Sequence, residues 1–170
     1  MFVGPEQVPA GQLVQGDIVA DVPLFGCLDE QKTHRGGETA WMYEGRLQRG
    51  YCAVLSHSCE IAPENGMKVT SCILAPLRRA DKTTTPEQFE ILKNSNVVTP
   101  GAAYHLKYFY LPPHPSIPGF EAGSVIDFSK LFSLHKSMVE ALASRRVAQM
   151  NSETALSMAR KLAAYFYRSA

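Results

Sequence analysis

The strongest constraint in this chain is that its one long helical stripe comes last. Ala155, Met158, Ala159, Leu162, Ala163 and Phe166 recur at i, i+3, i+4, i+7, i+8 and i+11. That spacing predicts an amphipathic helix from a cap at Asn151 or Ser152 to about Arg168. Everything before it reads as short apolar runs cut by turn residues. Parallel strands need a crossover helix between each pair, and no regular alternation of that kind is present. The expectation is therefore a mainly β (α+β) fold: short, mostly antiparallel strands closing into a small barrel. The last helix would cap it through Met158, Leu162 and Phe166.

The runs fall in a readable order. Gly16-Asp17 supplies a turn into Ile18-Val19-Ala20, and Pro23 marks an edge or an exit near Phe25. Residues 26–50, with Gly36-Gly37, many charges and few large apolar groups besides Trp41 and Met42, read as a long connecting loop with room for a short hairpin. Tyr51–Leu55 is the second strand, and Pro63-Glu-Asn-Gly66 a tight turn. Met67–Leu77 is the third strand. Thr85-Pro86-Glu87 caps a short helix through about Lys93. Ala103–Leu111 and Gly123–Phe128 read as strands and Arg145–Met150 as a short strand or bridging segment, with Pro112–Gly119 a stiff loop. At 170 residues, 45% apolar and 19% charged, the chain suits one globular domain over 1–170. No apolar run approaches the roughly 20 residues that span a bilayer. The opening MFVGPEQVPAGQL has no basic start and apolar core, so a cytoplasmic protein is expected, with no membrane partner.

Chemistry concentrates where the second strand ends, in Ser56-His57-Ser58-Cys59-Glu60. A thiolate is a nucleophile, and an imidazolium nearby lowers its pKa. His57 and Cys59 would share a face of an extended segment. The plainer alternative has His57 and Ser58 satisfying backbone groups of a turn, with Cys59 tucked beneath. A zinc set of Cys27, His34, His57 and Cys59 has suitable ligand types but no tight ligand spacing, so no metal and no cofactor is expected. Cys52 and Cys72 lie inside apolar runs as small core hydrophobes. His105 and His114 read as surface or packing residues. Tyr104, Tyr108, Phe109 and Tyr110 read as core first and as a base-stacking platform second.

Charge is uneven. From Ser129 onward stand Lys130, Lys136, Arg145, Arg146, Arg160, Lys161 and Arg168 against Glu140 and Glu153. That leaves about +5 on this segment and about −4 elsewhere. A basic segment suits a solvated helix face or a phosphate-bearing partner.

Gln15-Gly-Asp-Ile-Val19, Arg49-Gly-Tyr-Cys-Ala-Val-Leu-Ser56, the strand ending at Pro76, Ser124-Val-Ile-Asp127 and Arg146-Val-Ala-Gln-Met-Asn-Ser-Glu153 together resemble the PemK/MazF family. These are small SH3-like barrels of bacterial toxin–antitoxin modules. Val54–Ile61 also resembles a Leu-Ser-Gln-Ser-Cys-Asp block of uncharacterised bacterial proteins. The family resemblance implies a metal-independent endoribonuclease, or a degenerate relative, acting on single-stranded RNA in a toxin–antitoxin or phage-defence setting. It makes Arg49 the arginine candidate. In that reading Arg49, His57 and Cys59 are the catalytic candidates around one groove, with His57 as the base, and Arg145, Arg146, Arg160 and Lys161 would hold RNA. Where the family's enzymes carry Ser or Thr after the third strand's proline, this chain has Leu77-Arg78-Arg79. That favours a second class: a non-enzymatic interaction module, or a subunit of a larger bacterial complex. Its contact surface for a protein partner or antitoxin would be the 26–50 loop.

Overall fold

In the computed structural model, residues 2–3, 12–35, 38–61, 70–94, 96 and 106–168 are described, and of Val3, 25–46, Cys59, Glu60 and Arg168 the backbone alone. The strands are β1 (Phe2–Val3), β2 (Asp17–Arg35), β3 (Glu38–Val54), β4 (Ser71–Arg79), β5 (Tyr108–Leu111), β6 (Ser124–Asp127), β7 (Phe132–His135) and β8 (Arg146–Met150). The helices are α1 (Ser58–Ile61), α2 (Ala80–Thr83), α3 (Pro86–Asn94), α4 (Val139–Ala143) and α5 (Ser152–Arg168). Pairing runs β1-β8-β2-β3-β4-β6-β5, with β7 beside β4, and every pair is antiparallel. No pairing among the described residues joins β5 back to β1. The mainly β, α+β class holds, as an open sheet with a C-terminal helix. No helix among the described residues is long and apolar enough to cross a membrane.

The central strands are buried on both faces, which is why Tyr51–Leu55 is a continuous apolar run rather than an alternating one. Ala53, Leu55, Ala75 and Leu77 join Phe109, Phe128 and Met158 in one core. Their alternate neighbours Cys52, Val54, Cys72 and Leu74 join Val139 and Leu142 in a second. Thus α5 covers one face and α4 the other. Gly16 sits where the chain enters β2: its φ is +91°, and an added Cβ would stand 3.0 Å from the Ala155 Cβ. A side chain there would push α5 off the sheet.

Several expectations change. The 26–50 segment holds more than a loop with a short hairpin. β2 and β3 continue through it as one long hairpin, paired from Pro23↔Arg49 to Arg35↔Glu38 with a one-residue register shift between Cys27 and Asp29. The third strand starts at Ser71, and the predicted 103–111 strand is β5 over Tyr108–Leu111. β7 and α4 lie in a stretch with no clear sequence signal. α3 starts at Pro86 as expected, under a reciprocal capping box: Gln88 N donates to Thr85 Oγ1 (3.3 Å) and Thr85 N to Gln88 Oε1 (3.0 Å). α5 is rotated from the predicted stripe. Met158 is buried and Leu162 packs against the core, but Phe166 is 52% exposed. The fully inward row is Thr154, Met158 and Lys161.

Candidate functional site

The polar turn after β3 is built from hydrogen bonds to backbone. Leu55 N still donates to Ile73 O (2.9 Å), and Ser56 Oγ accepts from Ile73 N at 2.8 Å. Ser56 is buried and also bonds the Cys72 thiol. Ser58 Oγ accepts from Gln15 N (3.0 Å), while Gln15 Nε2 donates to Leu55 O (2.8 Å). Both serines therefore tie the turn to β4 and to the segment entering β2. His57 is exposed beside them. Cys59 lies in α1, and its side chain is outside the described residues. Cys52 and Cys72 are buried free thiols, and burial pushes them up to about 12 and about 11. They pack and do not react.

Arg49 is elsewhere. Its Nη1 donates to Asp21 Oδ2 at 2.6 Å. Asp21 occupies the β2 bulge between Val19 and Val22 with φ +57°. Arg145 Nη1 donates to the Asp21 carbonyl (2.9 Å) and lies 3.8 Å from its carboxylate. Two arginines thus share one aspartate on the surface, where an aspartate accepts the left-handed conformation more readily than most residues. From Arg49 to Val54 is about 17 Å of strand at about 3.3 Å per residue, and His57 lies beyond that. Arg49 and His57 do not meet.

The basic set does not form one patch. Arg146 is interior, its side chain 8% exposed, 3.4 Å from the fully buried Asp17 carboxylate. Lys161 is fully buried, its ammonium 6.0 Å from the centre of the Phe109 ring. Burial lowers the Lys161 pKa to about 8. Neither can reach a phosphate without leaving the core. Only Arg145 and Arg160 keep surface positions. Tyr108, Phe109 and Tyr110 are buried, which removes them as a stacking platform, and Tyr104 and His105 lie outside the described residues. His114 packs its ring 4.5 Å from that of Phe2.

Asp17 is the ionisable residue that sequence reasoning passed over, because Gly16-Asp17 reads as a turn. Its Oδ2 accepts from Val14 N (2.9 Å) and Arg146 Nη1. Burial raises its pKa to about 6, with Val14 N–H and Arg146 opposing. Its Oδ1 and the Oε1 of its cross-strand partner Gln149 are buried without a partner among the described residues.

A hollow of about 420 Å³ opens next to the turn, where Gln15 and Ser58 face Gln149, Asn151 and Ser152 at the start of α5. Its described lining is amide, hydroxyl and apolar, with no acid or base to move a proton. Among the described residues no His, Cys, Asp or Glu group could hold a metal. Cys27 and His34, seven residues apart on β2, are about 23 Å apart along the strand and cannot share an ion.

Fold and site define a mainly β protein whose polar turn does structural work and whose longest element is a two-stranded arm. No protein-family model matches this chain, and no curated protein matches it.

Proposed function

We propose that this protein is a non-enzymatic interaction module, a subunit that joins a larger assembly through the β2–β3 arm. The arm itself carries this reading. β2 pairs β8 only at 17–19, and β3 pairs β4 only at 52–54. From Pro23↔Arg49 outward, among the described residues, the two strands pair only with each other. That is about 40 Å of ribbon at about 3.3 Å per residue. A two-stranded hairpin is at best marginally stable in water, and its outer edges are templates for another strand. At the arm's base Leu47 is 66% exposed. The separation of Arg49 from His57 and the burial of Arg146 and Lys161 weigh against the endoribonuclease reading. PemK/MazF kinship then concerns ancestry rather than activity.

The test compares the full chain with a variant in which residues 26–46 are replaced by Asn-Gly, a two-residue turn closing Phe25 onto Leu47. Both should melt within a few degrees of each other, and neither should cleave a single-stranded RNA oligonucleotide or bind it in a salt-dependent way. A large drop in melting temperature on trimming would make the arm part of the fold's own core. RNA cleavage by the full chain, lost in Arg49→Ala or His57→Ala, would make the protein an enzyme.

A further inference from the structure

The arm's charge narrows its partner. Residues 25–46 hold Asp29, Glu30, Glu38 and Glu44 against Lys32, Arg35 and Arg46, a near balance that does not suit a nucleic acid, whose phosphates demand a cationic surface. The outer edge of β3 is the more apolar of the two, with Ala40-Trp41-Met42-Tyr43 midway along it. This stretch lies well clear of the 52–54 segment that pairs β4.

We infer that the arm's partner is a second copy of this chain, the outer edge of β3 pairing antiparallel with the same edge of the other copy about Met42. This rests on the reading of the arm as the contact surface. A two-fold axis at Met42 sets Trp41 opposite Tyr43 of the second copy, and Glu38 opposite Arg46, each pair occurring twice. Directly opposed aromatic pairs and opposite charges are the favourable cross-strand combinations, and one register supplies both. The edge of β2 offers charge pairs but no aromatic pair: centred on Lys32 it sets Asp29 against Arg35 but opposes lysine to lysine, and centred on Gln31 it sets Glu30 against Lys32 and Cys27 against Arg35. The product is a four-stranded ribbon, β2-β3-β3-β2, which has the strand number a lone hairpin lacks. Met42 lies ten residues beyond Cys52, so the two bodies stand roughly 60 Å apart and do not collide. The interface is isologous and closes on itself, so it stops at a dimer.

Sedimentation and light scattering on the full chain at micromolar concentration test this, with Glu38→Arg, Arg46→Glu and the trimmed chain beside it. The wild type should be an elongated dimer and the trimmed chain a monomer. Each single substitution turns two attractive pairs into repulsive ones and should weaken dimerisation about tenfold or more. An equimolar mixture of Glu38→Arg with Arg46→Glu restores both pairs and should dimerise like the wild type. Glu38 also faces Arg35 within its own hairpin, but loss of that contact cannot be repaired by mixing, so rescue reports the contact between copies. A monomeric wild type, or a mixture no tighter than its components, overturns self-pairing while leaving the arm open to another protein. A dimer that survives trimming places the contact between copies outside the arm and overturns self-pairing in the same way.

Discussion

Lys161 sits at the centre of the inward face of α5, and its energetics are the clearest at the residue scale. An ammonium loses its hydration on burial, so the folded protein releases the Lys161 proton near pH 8, against the ordinary 10.5. Between those values the unfolded chain binds more protons than the folded one, and stability rises with pH through that window. At about 1.4 kcal/mol per pH unit the gain is about 3 kcal/mol. The Cys52 and Cys72 thiols act oppositely above pH 9, because the folded state holds their protons longer. The difference between wild type and Lys161→Met isolates the lysine: it should shrink steadily from neutral pH to about pH 10, as read by denaturant unfolding. A constant difference would mean Lys161 does not titrate in the interior. Asp17 gives the mirror case. Its pKa is raised from 3.8 to about 6, so the folded state binds the extra proton and stability falls as pH rises between those values. Arg146 offsets part of that penalty only while the carboxyl is ionised. Arg146→Met should therefore destabilise by about 3–5 kcal/mol at neutral pH and by clearly less near pH 4. An equal loss at both pH values would show that the bond from Arg146 to the Gln12 carbonyl (3.1 Å) is what matters.

At the scale of elements, what could be read from the sequence was whatever local chemistry decides. The cap and proline of α3 and the span of α5 needed no tertiary information. At α3, Thr85→Ala removes one half of the capping box and should cost about 1 kcal/mol, visible as a melt a few degrees lower; an unchanged melt would mean the box adds nothing. The rotation of α5 was hidden because a stripe built from apolar residues gives small alanines the same weight as rings. The helix instead buries Met158 in the core that holds Phe109, brings the Lys161 ammonium to 6.0 Å from the Phe109 ring centre, and sets Tyr165 beside Phe128 at 6.2 Å between ring centres. A lysine stem is four methylenes long and packs as an apolar group up to its ammonium. The hairpin's full length was hidden for a different reason: glycines and mixed charges on strands that, among the described residues, pair only with each other look like a loop. The Asp21 cluster depends on a bulge, and nothing in a single sequence marks a bulge. Gly123 shows how closely the elements approach. At φ +89° its missing Cβ would lie 2.6 Å from Leu111 O and 2.7 Å from Tyr110 Oη. Gly123→Ala should be among the more destabilising small substitutions, by about 1–3 kcal/mol, measured by denaturant unfolding. A change within a few tenths would mean β5 and β6 can move apart.

Across the whole molecule, stability and contact are assigned to different parts. The body holds its strands between two cores, and local openings there require breaking both. Among the described residues the arm is a ribbon whose strands pair only with each other, so in a single copy its amides should exchange with solvent far faster than those of β4 or β6. Dimerisation changes this unevenly. Pairing about Met42 covers the outer edge of β3 and leaves that of β2 as it was. Amides at 38–46 should therefore gain protection as protein concentration rises through the dimerisation range, while those at 124–127 stay constant because their partners lie within the chain. The gain follows mass action, since exchange from the arm proceeds through the monomer. Glu38→Arg alone should remove the concentration dependence, and mixing it with Arg46→Glu should bring it back. Protection at 38–46 that equals that of β6 at every concentration would mean the arm is held by its own chain, and the division between body and arm would not stand.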